Sequence, residues 1–292
     1  TIHPHGCGVI DDGNTRKSNR IDLVSLIQRK ALSKKDNLLM PSNKIELFLC
    51  NTQQPIPEKL LNKYLNLLPA SERIHLTKLS GSRCKNQLVS LALLYSELAA
   101  KTGEPSDILK IDRNANGKPY LENFSQYQFN MSHSKDFIAL AIGKTDPIGL
   151  DIEKIDFSRR NLPHISERFF PSIENEVLLK YTGKERTLMF YRIWTLREAW
   201  VKANGEALIP NMKNIEFLIE ESKCIINGKT NLRGGQFFLY RSVENFFLAF
   251  CSLGLNLKLK DFDFAAKSGL PLQRWENIDQ LELDCSIQTV NL

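Results

Sequence analysis

Apolar residues along this chain change their spacing twice in the same order, and that double change limits the fold more than any other feature. "KIELFLC" (44–50) alternates as a half-buried strand does and ends in the turn-rich "NTQQPIPE". From Glu58 to Thr102 the spacing is helical. "EKLLNKYLNLL" stops at Pro69, and "CKNQLVSLALLYSELAAKTG" sets Leu88, Leu91, Leu94, Tyr95 and Leu98 on one stripe that Gly103 closes, so two helices are expected. Strand-like spacing returns in "ILKIDRNANGKPYLEN", a strand pair with a turn, and in "FNMSHSKDFIALAIG" and "PIGLDIEKID". After Arg159 the order repeats, with helical "HISERFFPSIENEVLLK" and "ERTLMFYRIWTLREAWVKANG" followed by strands at "IEFLIE", "CIINGKT", "GQFFLYRS" and "NFFLAFCSL". This pattern predicts an α+β fold of two similar halves, residues 44–145 and 146–255, although no sequence repeat is visible between them.

Residues 1–43 read as an N-terminal extension. Within it, "SNRIDLVSLIQRKALSKK" carries Ile21, Val24, Leu26 and Ile27 at the spacing of a short amphipathic helix, with Ser18 or Asn19 as its cap. Residues 256–292 read as a charged, weakly patterned tail that wraps the body. The 292 residues are 42% hydrophobic, enough for one large core or two modest ones. A balance of 39 Lys and Arg against 33 Asp and Glu gives +6 without long basic runs. That excludes a dedicated nucleic-acid binder and suits an anionic small molecule or an acidic protein partner. The six cysteines, Cys7, Cys50, Cys84, Cys224, Cys251 and Cys285, include no C-x-x-C pair, which argues against a zinc site or a disulfide framework and for the cytoplasm. The N-terminus is polar where a signal peptide would be apolar, and no apolar run approaches the roughly 18 residues of a membrane span, so no membrane partner is expected.

Three features can do chemistry. In "IGLDIEK" the alternation of an extended chain puts Ile148, Leu150 and Ile152 on one face and Gly149, Asp151 and Glu153 on the other, so two carboxylates share a face about 7 Å apart. Such a pair needs a cation or a basic side chain between its members, and hard oxygen ligands suit Mg²⁺; a solvated edge strand beside Lys154 accounts for it equally simply. In "RIWTLREAWVKANGEAL" a helix closing near Gly205 brings Trp194, Glu198 and Lys202 to one side, with Arg197 adjacent. An ordinary Glu-to-Lys pair on a wet helix face explains two of these four. In "NGKPYL" the turn signal Asn116-Gly117 and the fixed Pro119 hold Lys118 at a defined place, whether for a ligand or for the turn alone. A fourth stretch raises a question: Asn130, Ser132, His133, Ser134, Lys135 and Asp136 interrupt what otherwise reads as core.

Taken in order, "NGKPYL", "FNMSHS", "IGLDIEK" and "WTLREAWVK" resemble the signature motifs of the 4′-phosphopantetheinyl transferases, in the larger pseudodimeric subfamily that activates surfactin-type synthetases. The likeness covers roughly residues 44–253. It implies two half-domains related by a pseudo-twofold with the active site at their interface, in a monomer. It implies Mg²⁺-dependent transfer of phosphopantetheine from coenzyme A to a serine of an acidic apo carrier protein of fatty-acid, polyketide or peptide synthesis, with release of adenosine 3′,5′-bisphosphate. By the same resemblance Asp151, Glu153 and Glu198 hold the metal against the pyrophosphate. Lys118, Ser132 and His133 lie by the nucleotide end and its 3′-phosphate, and Lys202 contacts the pyrophosphate. A carrier serine needs a base within reach, and Glu198, directly or through a metal-bound water, is the candidate. The polar run of the fourth stretch would then face a charged ligand, with Ser132 and His133 as donors.

Two positions depart from the family pattern. Arg197 stands where the family usually has Lys; it can clamp a phosphate but cannot accept a proton. Ala207 replaces a glycine in "GEAL". Among the basic residues of "PASERIHLTKLSGSRCKNQ", Arg73 and Arg83 are taken as coenzyme contacts. A coenzyme- or nucleotide-binding protein without transfer, and a Mg²⁺-dependent phosphohydrolase, are the competing readings.

Overall fold

Pro69, Pro171 and the left-handed glycines Gly81, Gly103, Gly183 and Gly205 punctuate the helices of this chain. The computed structural model describes residues 44–53, 55–226, 231–242, 245–254, 257–258, 261–263 and 281–290; the extension 1–43, with the helix expected around Ile21, lies outside them. Strand β1 (Ile45–Asn51) leads into helices α1 (Glu58–Asn66), α2 (Ala70–Leu76) and α3 (Gly81–Thr102). The short pair β2 (Ile111–Arg113) and β3 (Pro119–Leu121) and the hairpin β4 (Gln128–Ser134) and β5 (Phe137–Gly143) follow. Then come β6 (Ile148–Lys154), α4 (Leu162–Phe169), α5 (Ser172–Leu179), α6 (Gly183–Asn204), α7 (Leu208–Asn211), β7 (Ile215–Leu218), β8 (Lys223–Ile226) and the hairpin β9 (Gln236–Ser242) and β10 (Phe246–Ser252). Two strands of the tail, β11 (Phe262–Asp263) and β12 (Leu281–Val290), complete the described chain. The fold is mixed α+β. Among the described residues no helix is long and apolar enough to cross a membrane.

Three helices, not two, lie between Glu58 and Thr102. Pro69 ends one and caps the next: its fixed φ of −54° suits the residue before a first turn, and Glu72 near the start of α2 with Arg73 and His75 near its end complement the helix dipole. The expected helix across "HISERFFPSIENEVLLK" is also divided, because Pro171 forces Phe170 into extended backbone, ψ 149°. The tail does more than wrap. β12 inserts between β9 and β8, and β11 runs parallel to β1.

Strand order is β11-β1-β5-β4 in one sheet and β6-β10-β9-β12-β8-β7 in the other. In each, the first strand in sequence pairs antiparallel with the later strand of a hairpin, β1 with β5 and β6 with β10. Both α3 and α6 have 22 residues and close at a left-handed glycine, Gly103 and Gly205. Alternation then sorts the core into layers. Ile45, Leu47, Phe137 and Ala139 of one sheet and Ile148, Leu150, Ile152, Phe238, Leu248 and Phe250 of the other form a shared cluster. The opposite faces pack on helices: Phe48, Ile138 and Leu140 join Leu88, Leu91 and Leu98 of α3, while Phe237, Leu239, Phe247 and Ala249 join Ile193, Leu196 and Trp200 of α6. With both faces covered, β5 and β10 are buried throughout, which explains their nearly unbroken apolar sequences.

Candidate active site

The polar run of β4 faces β6. No backbone ladder joins the two strands; side chains of β4 take its place, since Asn130 Oδ1 accepts from the Leu150 amide at 2.8 Å and Ser134 Oγ accepts from the Lys154 amide at 3.0 Å. The partners rise together along both strands, so β4 and β6 run in the same direction. Between these anchors Ser132 Oγ donates to Asp151 Oδ1 at 2.8 Å, and Ser134 Oγ donates to Glu153 Oε2 at 3.0 Å. Asn130, Ser132 and Ser134 recur every second residue and so share a face, which is why three small polar side chains interrupt an apolar hairpin.

Gly149, Asp151 and Glu153 turn toward α6. A Cβ on Gly149 would lie 1.9 Å from the Ala199 carbonyl oxygen and 2.5 Å from the Ala203 amide nitrogen, so only glycine lets the helix backbone come this close. That contact brings one side of α6 over the acids. Trp194 Nε1 donates to Glu153 Oε1 at 3.3 Å, and Lys202 Nζ lies 2.6 Å from Asp151 Oδ1, 3.0 Å from Ser132 Oγ and 3.6 Å from Glu198 Oε2. The i, i+4, i+8 set read from sequence therefore meets the strand carboxylates on one side of the helix.

Two acids here, Asp151 and Glu198, share one ammonium, and Glu153 lies beside them. Burial first, and then the charge of Asp151, push Glu198 up to about 8 and Glu153 up to about 7. Burial lowers the pKa of Lys202, but Asp151 and Glu198 more than offset it and hold the group above its ordinary value. Among the described residues Asp151 Oδ2 is a buried oxygen with no hydrogen-bond partner. No three His, Cys, Asp or Glu side chains among them stand in a finished metal cage, and the Lys202 ammonium lies beside Asp151 and Glu198. A cavity of about 550 Å³ between Gln53, Ile56, Leu61, Leu79 and Leu88 lies apart from the acids.

Lys118 ties two elements of the site together. Its Nζ donates to the carbonyls of Ile148 at 3.0 Å and Ala203 at 2.9 Å, tying the start of β6 to the end of α6. Asn114 Nδ2 and Asn116 Nδ2 donate to the Gly205 carbonyl at 2.7 and 3.2 Å, so the "NANGK" turn caps the last carbonyls of the site helix. Burial pulls Lys118 down to about 8. Arg197 is elsewhere: it is fully buried, its Nη2 bridges both oxygens of Glu174 at 2.7 Å, and Nε and Nη2 donate to the carbonyls of Met212 and Ile215. Its guanidinium lies over the Phe170 and Phe217 rings and faces the core, not the acids. The coenzyme contact expected of Arg197 is corrected accordingly; the residue anchors α6 to α5 and β7.

Ser132 meets acids and an ammonium of its own chain. Exposed His133 lies outside this hydrogen-bonded group, as do Arg73 on α2 and Arg83 in the first turn of α3. Sequence reasoning singled out Ser134 and Asn130 without giving either a partner, and overlooked Asn114 and Glu174. The two serines and Asn130 carried a readable signal, the period of two, whereas Glu174 gave none.

A family model described as "4'-phosphopantetheinyl transferase superfamily" matches residues 147–251, and one described as "4'-phosphopantetheinyl transferase, N-terminal" matches residues 52–145. The L-aminoadipate-semialdehyde dehydrogenase-phosphopantetheinyl transferase of Rattus norvegicus is 30% identical over 62% of this chain and 66% of its own length. The 4'-phosphopantetheinyl transferase HetI of Nostoc sp. is 27% identical over 66% of this chain and 82% of its own. The 4'-phosphopantetheinyl transferase psf-1 of Bacillus pumilus is 28% identical over 44% and 52%. The chain spans under two thirds of the length of the mammalian relatives it matches, 66% for the rat protein and 58% for that of Homo sapiens. The two family matches adjoin and hold β4, β6 and α6 between them, and the chain belongs to the 4′-phosphopantetheinyl transferase superfamily.

Proposed function

We propose that this chain transfers 4′-phosphopantetheine from coenzyme A to a serine of an acidic apo carrier protein and releases adenosine 3′,5′-bisphosphate. The observation that carries the reading is the meeting of Asp151 and Glu153 from β6 with Glu198 and Lys202 from α6 beside the seam where β4 joins β6. Family membership supports it. Residues 44–145 and 146–255 act as half-domains related by a pseudo-twofold, in a monomer of the cytoplasm, and the acids lie where the two halves join.

The donor set fits Mg²⁺: carboxylate oxygens only, one of them buried without a partner. Asp151, Glu153 and Glu198 would hold it. When bound, Mg²⁺ supplies charge neutralisation at the diphosphate. Lys202, on a flexible stem with its side chain 30% exposed, reaches the diphosphate and stabilises charge on the leaving phosphate. Glu198, within the same group, accepts the serine proton. Ser132 and Ser134 fix the rotamers of Asp151 and Glu153, and Lys118 with Asn114 holds α6 against β6.

The test is the mass of apo carriers from fatty-acid, polyketide and peptide synthesis after incubation with coenzyme A, Mg²⁺ and this protein. Gain of one phosphopantetheine is expected. Cleavage of coenzyme A with no carrier present, or coenzyme binding without turnover, would replace this reading with a hydrolase or a binding protein.

A further inference from the structure

Lys202 stands where a cation shared by the acids would stand. Its Nζ has three oxygen neighbours, Asp151 Oδ1, Ser132 Oγ and Glu198 Oε2, at 2.6, 3.0 and 3.6 Å. We infer that the Lys202 ammonium is a built-in counter-ion that holds the acid group together and must swing out before a divalent cation can enter. The inference rests on the proposed function only for the nature of the incoming ion.

Competition follows from distance. A divalent cation coordinates carboxylate oxygens at roughly 2.0–2.6 Å. An ammonium already in contact with Asp151 Oδ1 would then lie within about 4 Å of a second, doubly charged cation, where like charges repel strongly. Both cannot keep Asp151 in this arrangement. The protein is built so that the ammonium can leave. Lys202 sits in the last turn of α6 with a side chain 30% exposed, and a lysine released to water regains full hydration. Asp151 keeps its bond from Ser132 when Lys202 goes, and its second oxygen, Oδ2, is already without a partner. The displaced ammonium needs a new anion, and a diphosphate arriving with the metal provides one. Metal and diphosphate therefore strengthen each other's binding through this one side chain, by a reciprocal coupling.

The experiment measures Mn²⁺ binding to the full chain, without coenzyme or carrier, by the electron-spin signal of free Mn²⁺ and by tryptophan emission, since Trp194 donates to Glu153. Lys202→Met is expected to bind Mn²⁺ at least about tenfold more tightly than the parent chain. Its metal-free form should melt at a lower temperature and recover on adding Mn²⁺. Lys202→Gln, which keeps a donor for Asp151 but not the charge, should behave alike. Equal or weaker Mn²⁺ affinity in folded Lys202→Met and Lys202→Gln would overturn the inference. So would failure of both variants to fold even with Mn²⁺, because the acids would then require the ammonium itself. Neither carrier nor coenzyme enters this measurement, so it can fail while the parent chain still labels a carrier, and the reverse.

Discussion

A methyl group on Gly149 would lie 1.9 Å from the carbonyl oxygen of Ala199. Strand β6 and helix α6 therefore touch backbone to backbone, and that contact sets the spacing between Asp151 and Glu153 on one element and Glu198 and Lys202 on the other. Gly149→Ala must push the helix away. We expect a loss of about 1–3 kcal/mol in denaturant unfolding, together with a severe loss of transfer. Stability within about 0.5 kcal/mol of the parent would show that the helix yields easily and that the contact does not set the site.

Stability should fall as pH rises when no metal is present. Glu153 and Glu198 are pushed up to about 7 and about 8 in the folded chain, against 4.5 for ordinary glutamate. The folded protein thus keeps protons that the unfolded chain has released, and the contribution of these acids is fully present below pH 4.5 and lost as pH rises through 7 and 8. Melting temperature in a chelator is expected to decline over this range. Mg²⁺ should flatten the decline by displacing those protons, and proton release on its binding is a second readout. A melting temperature that rises across the interval in chelator would contradict the account.

Much of this site was legible in sequence because it obeys two periods. Asp151 and Glu153 at a spacing of two, and Trp194, Glu198 and Lys202 at a spacing of four, are local patterns that survive any packing of β6 and α6. Family membership was legible in the order of four motifs. Long-range partners were not. Arg197 has the same neighbours in sequence whether it faces a phosphate or Glu174, and only the packing of α5 and β7 on α6 decides between them. Lys118 is likewise ambiguous until Ile148 and Ala203 present their carbonyls to it. Strand β12 was missed because only some of "LELDCSIQTV" is apolar and, among its described side chains, Ile287 alone is a core residue; its place between β9 and β8 is set by backbone pairing, not by a side-chain pattern.

The Arg197–Glu174 pair should behave as a buried ion pair. Removing one partner, as in Glu174→Ala, leaves an uncompensated guanidinium in the core and is expected to cost about 3–5 kcal/mol. Arg197→Met combined with Glu174→Leu should recover most of that loss, since two apolar groups need no partner there. Urea midpoints of the single and double variants decide it. Equal loss in both would mean that packing, not charge, governs the position.

Asp151→Asn keeps the size of the side chain and its acceptor for Ser132 but removes the charge. Transfer is expected to drop by at least about 100-fold while far-ultraviolet circular dichroism stays that of the parent chain. Loss of folded structure would assign Asp151 to the scaffold.

The central claim, that these acids and Lys202 form a transferase centre, is tested most directly by the intact mass of an apo carrier after reaction. With coenzyme A, Mg²⁺ and the parent chain, the carrier should gain one phosphopantetheine at its serine. No gain on any of several unrelated carriers, in an assay where a known transferase labels them all, would contradict it.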